Sequence, residues 1–185
     1  MLECTRNKIE NLYKVKAIVA RDLQSLYSGL FINIVTEFEG FLEAQFIHYL
    51  GGYSISAKPR IQMPRKSVAY DILRGERSYV DWLPYKKHSI RRADRFFEDG
   101  HAFSLLDNTE LKLLGEVCLI RNSLAHNSPH AKLRFERDIL GGICLRPRER
   151  NPVGYLRHSF QRGSVYFQYY SQQLLVCSRK IASYP

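Results

Sequence analysis

The chain has no C-x-x-C pair; its four cysteines, Cys4, Cys118, Cys144 and Cys177, stand far apart. That spacing argues against a zinc ribbon, whose tetrahedral site draws ligands from close pairs. Cys118 and Cys177 instead fall on apolar helical stripes and read as small core residues. No apolar run approaches the roughly 20 residues that span a bilayer. The opening MLECTRNKIE lacks the apolar centre of a secretion signal, so the expectation is a cytoplasmic protein with no membrane partner. Strand-like alternation is weak throughout, and there is neither an internal repeat nor a low-complexity tract. A zinc-protease arrangement is also missing. His126 and His130 have ligand-like spacing, but Pro129 interrupts the helix that would align them, and the zincin Glu is absent. No metal and no cofactor is expected.

What is present is positive charge and apolar surface. Lys and Arg number 28 against 18 Asp and Glu, a formal net charge of +10, which favours polyanionic partners, RNA or DNA first among them. Hydrophobic residues make up 45% of the chain, enough for a globular core, and 185 residues suit one domain better than two.

Periodicity predicts helices. Ile9, Leu12, Val19, Leu23 and Leu26 recur at three and four over residues 6–26, with Lys16 interrupting the stripe and Ser28-Gly29 marking a joint. The most apolar helix spans 30–50 through Phe31, Ile34, Phe38, Leu42, Phe46 and Tyr49, and ends at Gly51-Gly52. Residues 51–84 read as a basic loop excursion holding a short helix within 68–82. A basic helix over 86–100 follows, with Ile90, Phe96 and Phe97 facing inward and Gly100 as its C-cap. Asp107 is an N-cap with Glu110 completing a capping box, and that helix runs through Leu113, Val117, Ile120 and Leu124 until Pro129 forbids continuation. Residues 141–162 form a basic loop, and a last helix covers about 164–182. The fold class is all-α, a bundle of four main helices with one or two short ones.

The hexapeptide Arg121-Asn122-Ser123-Leu124-Ala125-His126 brings a permanent cation, an amide and an imidazole to a helix end. A phosphodiester reaction needs such groups: a base that works near neutral pH, and a fixed positive charge where negative charge develops. Asn122 and His126 are i and i+4 and share a face, whereas Arg121 lies about 140° away, so its side chain must wrap round or the last turn must loosen. A structural reading stands beside this one. In it Arg121 pairs with a carboxylate, Asn122 caps a neighbour and His126 makes a C-terminal helix contact.

The motif Arg121-Asn122-x-x-Ala125-His126 resembles the signature of the HEPN superfamily, in which Arg precedes His by four to six residues near the end of a bundle helix. ADRFFEDGHAFSLL (93–106), GEVCLIRNSLAHNSP (115–129) and LRPRERNPVGYLR (145–157) are similar to the HEPN-like domain family named for RiboL-PSP. Glu39, in Glu39-Gly40-Phe41-Leu42, looks like the superfamily's acidic position on the second core helix. The resemblance implies a HEPN-type up-and-down helical bundle and a metal-independent endoribonuclease. His126 would be general base on a ribose 2′-OH, and Arg121 would stabilise the phosphorane. Asn122 would orient the imidazole or the phosphate, and Glu39 would hold Arg121 in a buried ion pair. It also implies a homodimer with a composite active site, RNA partners such as tRNA or other single-stranded segments, and a toxin or phage-defence role in which an antitoxin is a further class of partner. Superfamily toxins silenced by nucleotidylation carry Tyr two residues after the His; Ser128 stands there in this chain, which argues against that regulation.

The basic residues Lys86, Lys87, Arg91, Arg92, Arg146, Arg148, Arg150 and Arg157 are candidates to grip phosphates, or else form a solvated positive surface. Trp82, Tyr85, Tyr155 and Tyr166 lie beside them, as base-stacking platforms or as core filler. Of Glu37, Glu39 and Glu43, two read as solvated and one as a partner for Arg121. The alternative to a nuclease is a non-catalytic helical module that binds nucleic acid or a protein partner.

Overall fold

The structure, a computed structural model, describes residues 2–52, 58–63, 65–126, 128–161 and 163–183. The class is all-α. Among the described residues there are eight α-helices: α1 (Leu2–Lys14), α2 (Ala20–Leu50), α3 (Lys66–Arg74), α4 (Arg91–Phe96), α5 (Asn108–Ala125), α6 (Pro129–Asp138), α7 (Pro152–Arg157) and α8 (Tyr166–Ala182). A two-stranded antiparallel ribbon, β1 (Ser159–Gln161) with β2 (Ser164–Val165), precedes α8. No helix among the described residues is long and apolar enough to cross a membrane.

The first helix boundary differs from the sequence expectation. The segment 6–26 is not one helix: α1 stops at Lys14 and α2 starts at Ala20. Lys16 takes a left-handed φ of 59°, its amide donates to Tyr13 O and the amide of Ala17 donates to Leu12 O. These are the two bonds of a Schellman stop, with lysine where glycine is usual. Asp22 then accepts from the amide of Val19 at 3.1 Å and covers a free donor at the start of α2. Ser28-Gly29 makes no joint; α2 runs through it, and the Ser28 hydroxyl turns back to Gln24 O.

Two compact units are resolved, residues 1–36 with 116–172 and residues 37–115 with 173–185. In the first, Tyr27, Phe31, Phe167 and Tyr170 are buried, and Phe167 meets the edges of Tyr27 and Phe31 with ring centroids 5.7 and 6.2 Å apart. In the second, Phe46 is the centre of an aromatic cluster, 5.2 Å from Trp82, 4.9 Å from Phe97 and 5.1 Å from Phe103. Trp82 donates to Glu43, Tyr85 to Phe103 O and Tyr49 to Ile181 O, so the polar ends of these buried rings are satisfied.

Three further segments depart from expectation. The basic helix does not reach Gly100. A π turn at Lys86–Ile90 leads into α4, which ends at Phe96 because Phe97 is extended and bridges to Pro59. Phe97 is buried as expected, Ile90 and Phe96 only half-buried, and the positive φ of Gly100 lies inside a 3-10 turn. Pro129 does stop α5, yet it also begins α6 at the first helical position, with Ser128 as N-cap accepting from Ala131. The segment 141–162 is no bare loop. It holds a 3-10 turn at Pro147–Glu149 and then α7, which Asn151 caps through Gly154 N and which buries Val153, Tyr155 and Leu156. A Cβ at Gly154 would sit 2.2 Å from Glu149 O, so only glycine fits that approach. Within 51–84, α3 occupies 66–74; residues 53–57 and Pro64 lie outside the described residues.

Candidate functional site

The helix that carries the hexapeptide starts as its sequence requires. The Asp107 carboxylate accepts from the amides of Thr109 and Glu110, and the Glu110 carboxylate accepts from the amide of Asp107. This reciprocal capping box fixes where α5 begins and hence which residues reach its far end. Lys180 adds an ion pair to Glu110 at 2.8 Å. Within the first compact unit, the hydroxyl of Tyr170 donates to Glu116 at 2.8 Å and holds the C-terminal half of α5 to α8.

At that end the α-helical ladder continues to the amide of His126, which donates to Asn122 O at 2.9 Å. The last turn therefore does not loosen. Asn122 and His126 share a face, and Arg121 projects away from them by helix geometry. Its guanidinium bends onto the neighbouring residue and donates to Asn122 Oδ1 at 3.2 Å, while the Asn122 amide nitrogen lies 3.6 Å from Cys118 Sγ. Arg121 and Asn122 are half-buried and His126 is exposed. Among the described residues the imidazole makes no side-chain hydrogen bond, and none joins it to Arg121. The structure thus assembles Arg121 with Asn122 and leaves His126 open to solvent one turn further on. The other histidine of the metal-like spacing, His130, is exposed on α6, so the two do not share one helix.

Glu39 is half-buried on α2, in the compact unit that does not contain Arg121. Of its neighbours, Glu37 is exposed and Glu43 accepts from Trp82 Nε1.

The basic candidates fall into two sorts. Lys86, Lys87, Arg91, Arg146, Arg148 and Arg150 are exposed. Arg157 is held by Glu10 through two hydrogen bonds of 2.7 and 2.9 Å, over the rings of Tyr13 and Tyr27 at 5.3 and 5.9 Å. Burial opposes ionisation of Glu10, yet the hydrogen bonds from Arg157 and Tyr27 outweigh it and hold the carboxyl below its ordinary range. Arg92 lies over Trp82 at 4.6 Å and donates to Asp81 O at 2.9 Å. These two arginines cement the fold. Trp82, Tyr85 and Tyr155 are buried and offer no stacking platform; Tyr166 is half-buried and stacks on Tyr155 at 4.3 Å.

The Glu10–Arg157 pair was not legible beforehand, because 147 residues separate the partners. The pair borders a cleft of about 590 Å³ that Arg6, Lys14 and His158 also line. No family model matches the chain, and neither a curated protein nor a solved structure is found to match it.

Proposed function

We propose that the chain is a metal-independent endoribonuclease of the HEPN type, folded as an up-and-down bundle and acting as a toxin or phage-defence effector. The observation that carries this reading is the end of α5, where an exposed imidazole follows, five residues on, a guanidinium already positioned by an amide. His126 takes the proton from a ribose 2′-OH, and the 2′-oxygen forms a bond to the adjacent phosphorus. The bond from phosphorus to the 5′-oxygen breaks, and that oxygen leaves with a proton as a 5′-OH, giving a 2′,3′-cyclic phosphate. Arg121 stabilises the charge that builds on the phosphoryl oxygens, and Asn122 orients Arg121. A positioned base contributes about 10²–10⁴ in rate and a positioned donor about 10²–10³.

Because no hydrogen bond joins Arg121 to His126 among the described residues, the reading includes a homodimer in which two helix ends make a composite site. The exposed arginines 146, 148 and 150 draw RNA toward the site. That missing hydrogen bond between Arg121 and His126 is the observation that favours the second reading, a non-catalytic helical binding module.

The deciding experiment incubates the purified protein with tRNA and single-stranded RNA in excess EDTA. Cyclic-phosphate ends that vanish in Arg121→Ala and His126→Ala support the nuclease. Intact RNA with the wild-type protein overturns it.

A further inference from the structure

A second basic site lies within the compact unit formed by residues 37–115 and 173–185. It is a cleft of about 500 Å³, to which α3 contributes Ile72 and Leu73 and the π turn with α4 contributes Lys87, His88, Arg91, Arg92, Arg95 and Phe96. We propose that this cleft is a groove for single-stranded RNA, with phosphates on the cation row and a base against Ile72 and Phe96. The proposal rests on the RNA reading above and assigns a strand-holding site that does no chemistry.

The geometry carries it in three steps. First, Lys87, Arg91 and Arg95 follow one another at intervals of four residues, so they rise along one side of the turn and helix about 6 Å apart. All three are exposed, none forms an ion pair among the described residues, and no carboxylate lines the cleft. Like charges at this spacing repel and weaken a helix. A polyanion lying along the row offsets that repulsion.

Second, Arg92 is fixed from behind by Trp82 and Asp81 O, so one cation of the cleft is pre-positioned rather than floppy. Third, apolar side chains also line the cleft. Ile72 is 52% exposed on α3, and Phe96 is half-buried at the end of α4. Cations with apolar side chains beside them give a single strand both phosphate contacts and a surface for a base. His88 fits as well: burial, with Lys87, Arg92 and Arg77 adding to it against Asp81, lowers its pKa, which keeps the ring neutral and able to bond a base edge.

The test uses His126→Ala protein, which leaves RNA uncut, and a fluorescein-labelled RNA of about 12 nucleotides followed by anisotropy from about 50 to 200 mM salt. Adding Lys87→Gln, Arg91→Gln and Arg95→Gln together lowers affinity about tenfold or more and makes the log–log salt slope shallower by about 2, from about 0.7 per phosphate contact. Ile72→Ser lowers affinity and leaves the slope unchanged. A control that removes three exposed cations elsewhere, Lys8→Gln, Lys112→Gln and Arg179→Gln, keeps the parent affinity. The substituted side chains are exposed, and an unchanged unfolding midpoint verifies that each variant is folded.

The proposal is overturned if the cleft variant binds as the parent does, if the control loses as much, if polyglutamate displaces the RNA at equal charge, or if no RNA binds. The two readings fail separately. Cleavage that persists unaltered in the three cleft substitutions on a wild-type background removes the groove and keeps the nuclease. RNA held by the cleft but never cut by the wild-type protein removes the nuclease and keeps the groove.

Discussion

Tyr170 donates its hydroxyl hydrogen to Glu116 and lies 2.8 Å from the hydroxyl of Tyr155, which must then be the donor in that second bond. Burial pushes both phenols far above their ordinary range, so the protons stay in place and the chain Tyr155–Tyr170–Glu116 has a fixed direction. Its end point is five residues before Arg121, so the chain braces the stretch of α5 that leads to the candidate site. Tyr170→Phe is expected to cost about 2 kcal/mol, since Glu116 loses its donor and Tyr155 its acceptor. Glu116→Gln keeps a carbonyl acceptor and is expected to cost less. Urea unfolding of the two single variants and the double variant measures the coupling; additive losses would show that the bond contributes nothing.

At the helix end the expected effects separate chemistry from folding. His126 is exposed, so His126→Ala is expected to abolish RNA cleavage and to shift unfolding by no more than about 0.5 kcal/mol. Arg121→Lys keeps the charge but loses the planar fork, and is expected to lower kcat by about 10²-fold. Asn122→Ala frees the guanidinium it holds and is expected to lower kcat about tenfold with KM little changed. Single-turnover cleavage with each variant checks the order. A large stability loss in His126→Ala would instead mark the residue as structural.

Acid is expected to weaken the first compact unit through Glu10. Its folded pKa is depressed below the ordinary 4.5, so the stabilisation from its pairing with Arg157 is complete above that value and is lost as pH falls through the lower folded value. Glu10→Gln is expected to be about 2 kcal/mol less stable at neutral pH, and to converge on the wild type only once the pH has fallen below the depressed folded pKa. Unfolding midpoints from pH 7 downward test this; parallel curves would rule the linkage out.

Lys16 holds a left-handed conformation at the end of α1. Left-handed backbone costs a side-chain-bearing residue about 1 kcal/mol. Lys16→Gly is therefore expected to raise stability by about 0.5–1 kcal/mol, less than the full strain because glycine also loosens the unfolded chain. A lower midpoint would mean that the lysine side chain makes a contact worth more than the strain.

Much of the candidate helix was legible in the sequence because its determinants are local. The Asp107 capping box, the buried positions of Leu113, Val117 and Ile120, and the stop before Pro129 all depend on residues within a turn or two of one another. The break at 15–19 had left a trace in Lys16, the residue that interrupts the apolar stripe, but periodicity resumes beyond it and hides the break. α6 and α7 were not legible. Both are short, both begin with proline, and proline reads as a stop unless its N-cap is recognised.

By itself the sequence determined the helical class, the start and end of α5, and the order Arg121, Asn122, His126 along its last turns. Caps and helical periodicity act over a few residues and are written in the chain. Only the tertiary structure decided which cations are free. Arg157 looked like its neighbours 146, 148 and 150 until Glu10 met it from the far end of the chain, and Arg92 looked like Arg91 until Trp82 lay beneath it. Charge pairing and ring stacking depend on distance in space, and no spacing along the sequence encodes that distance.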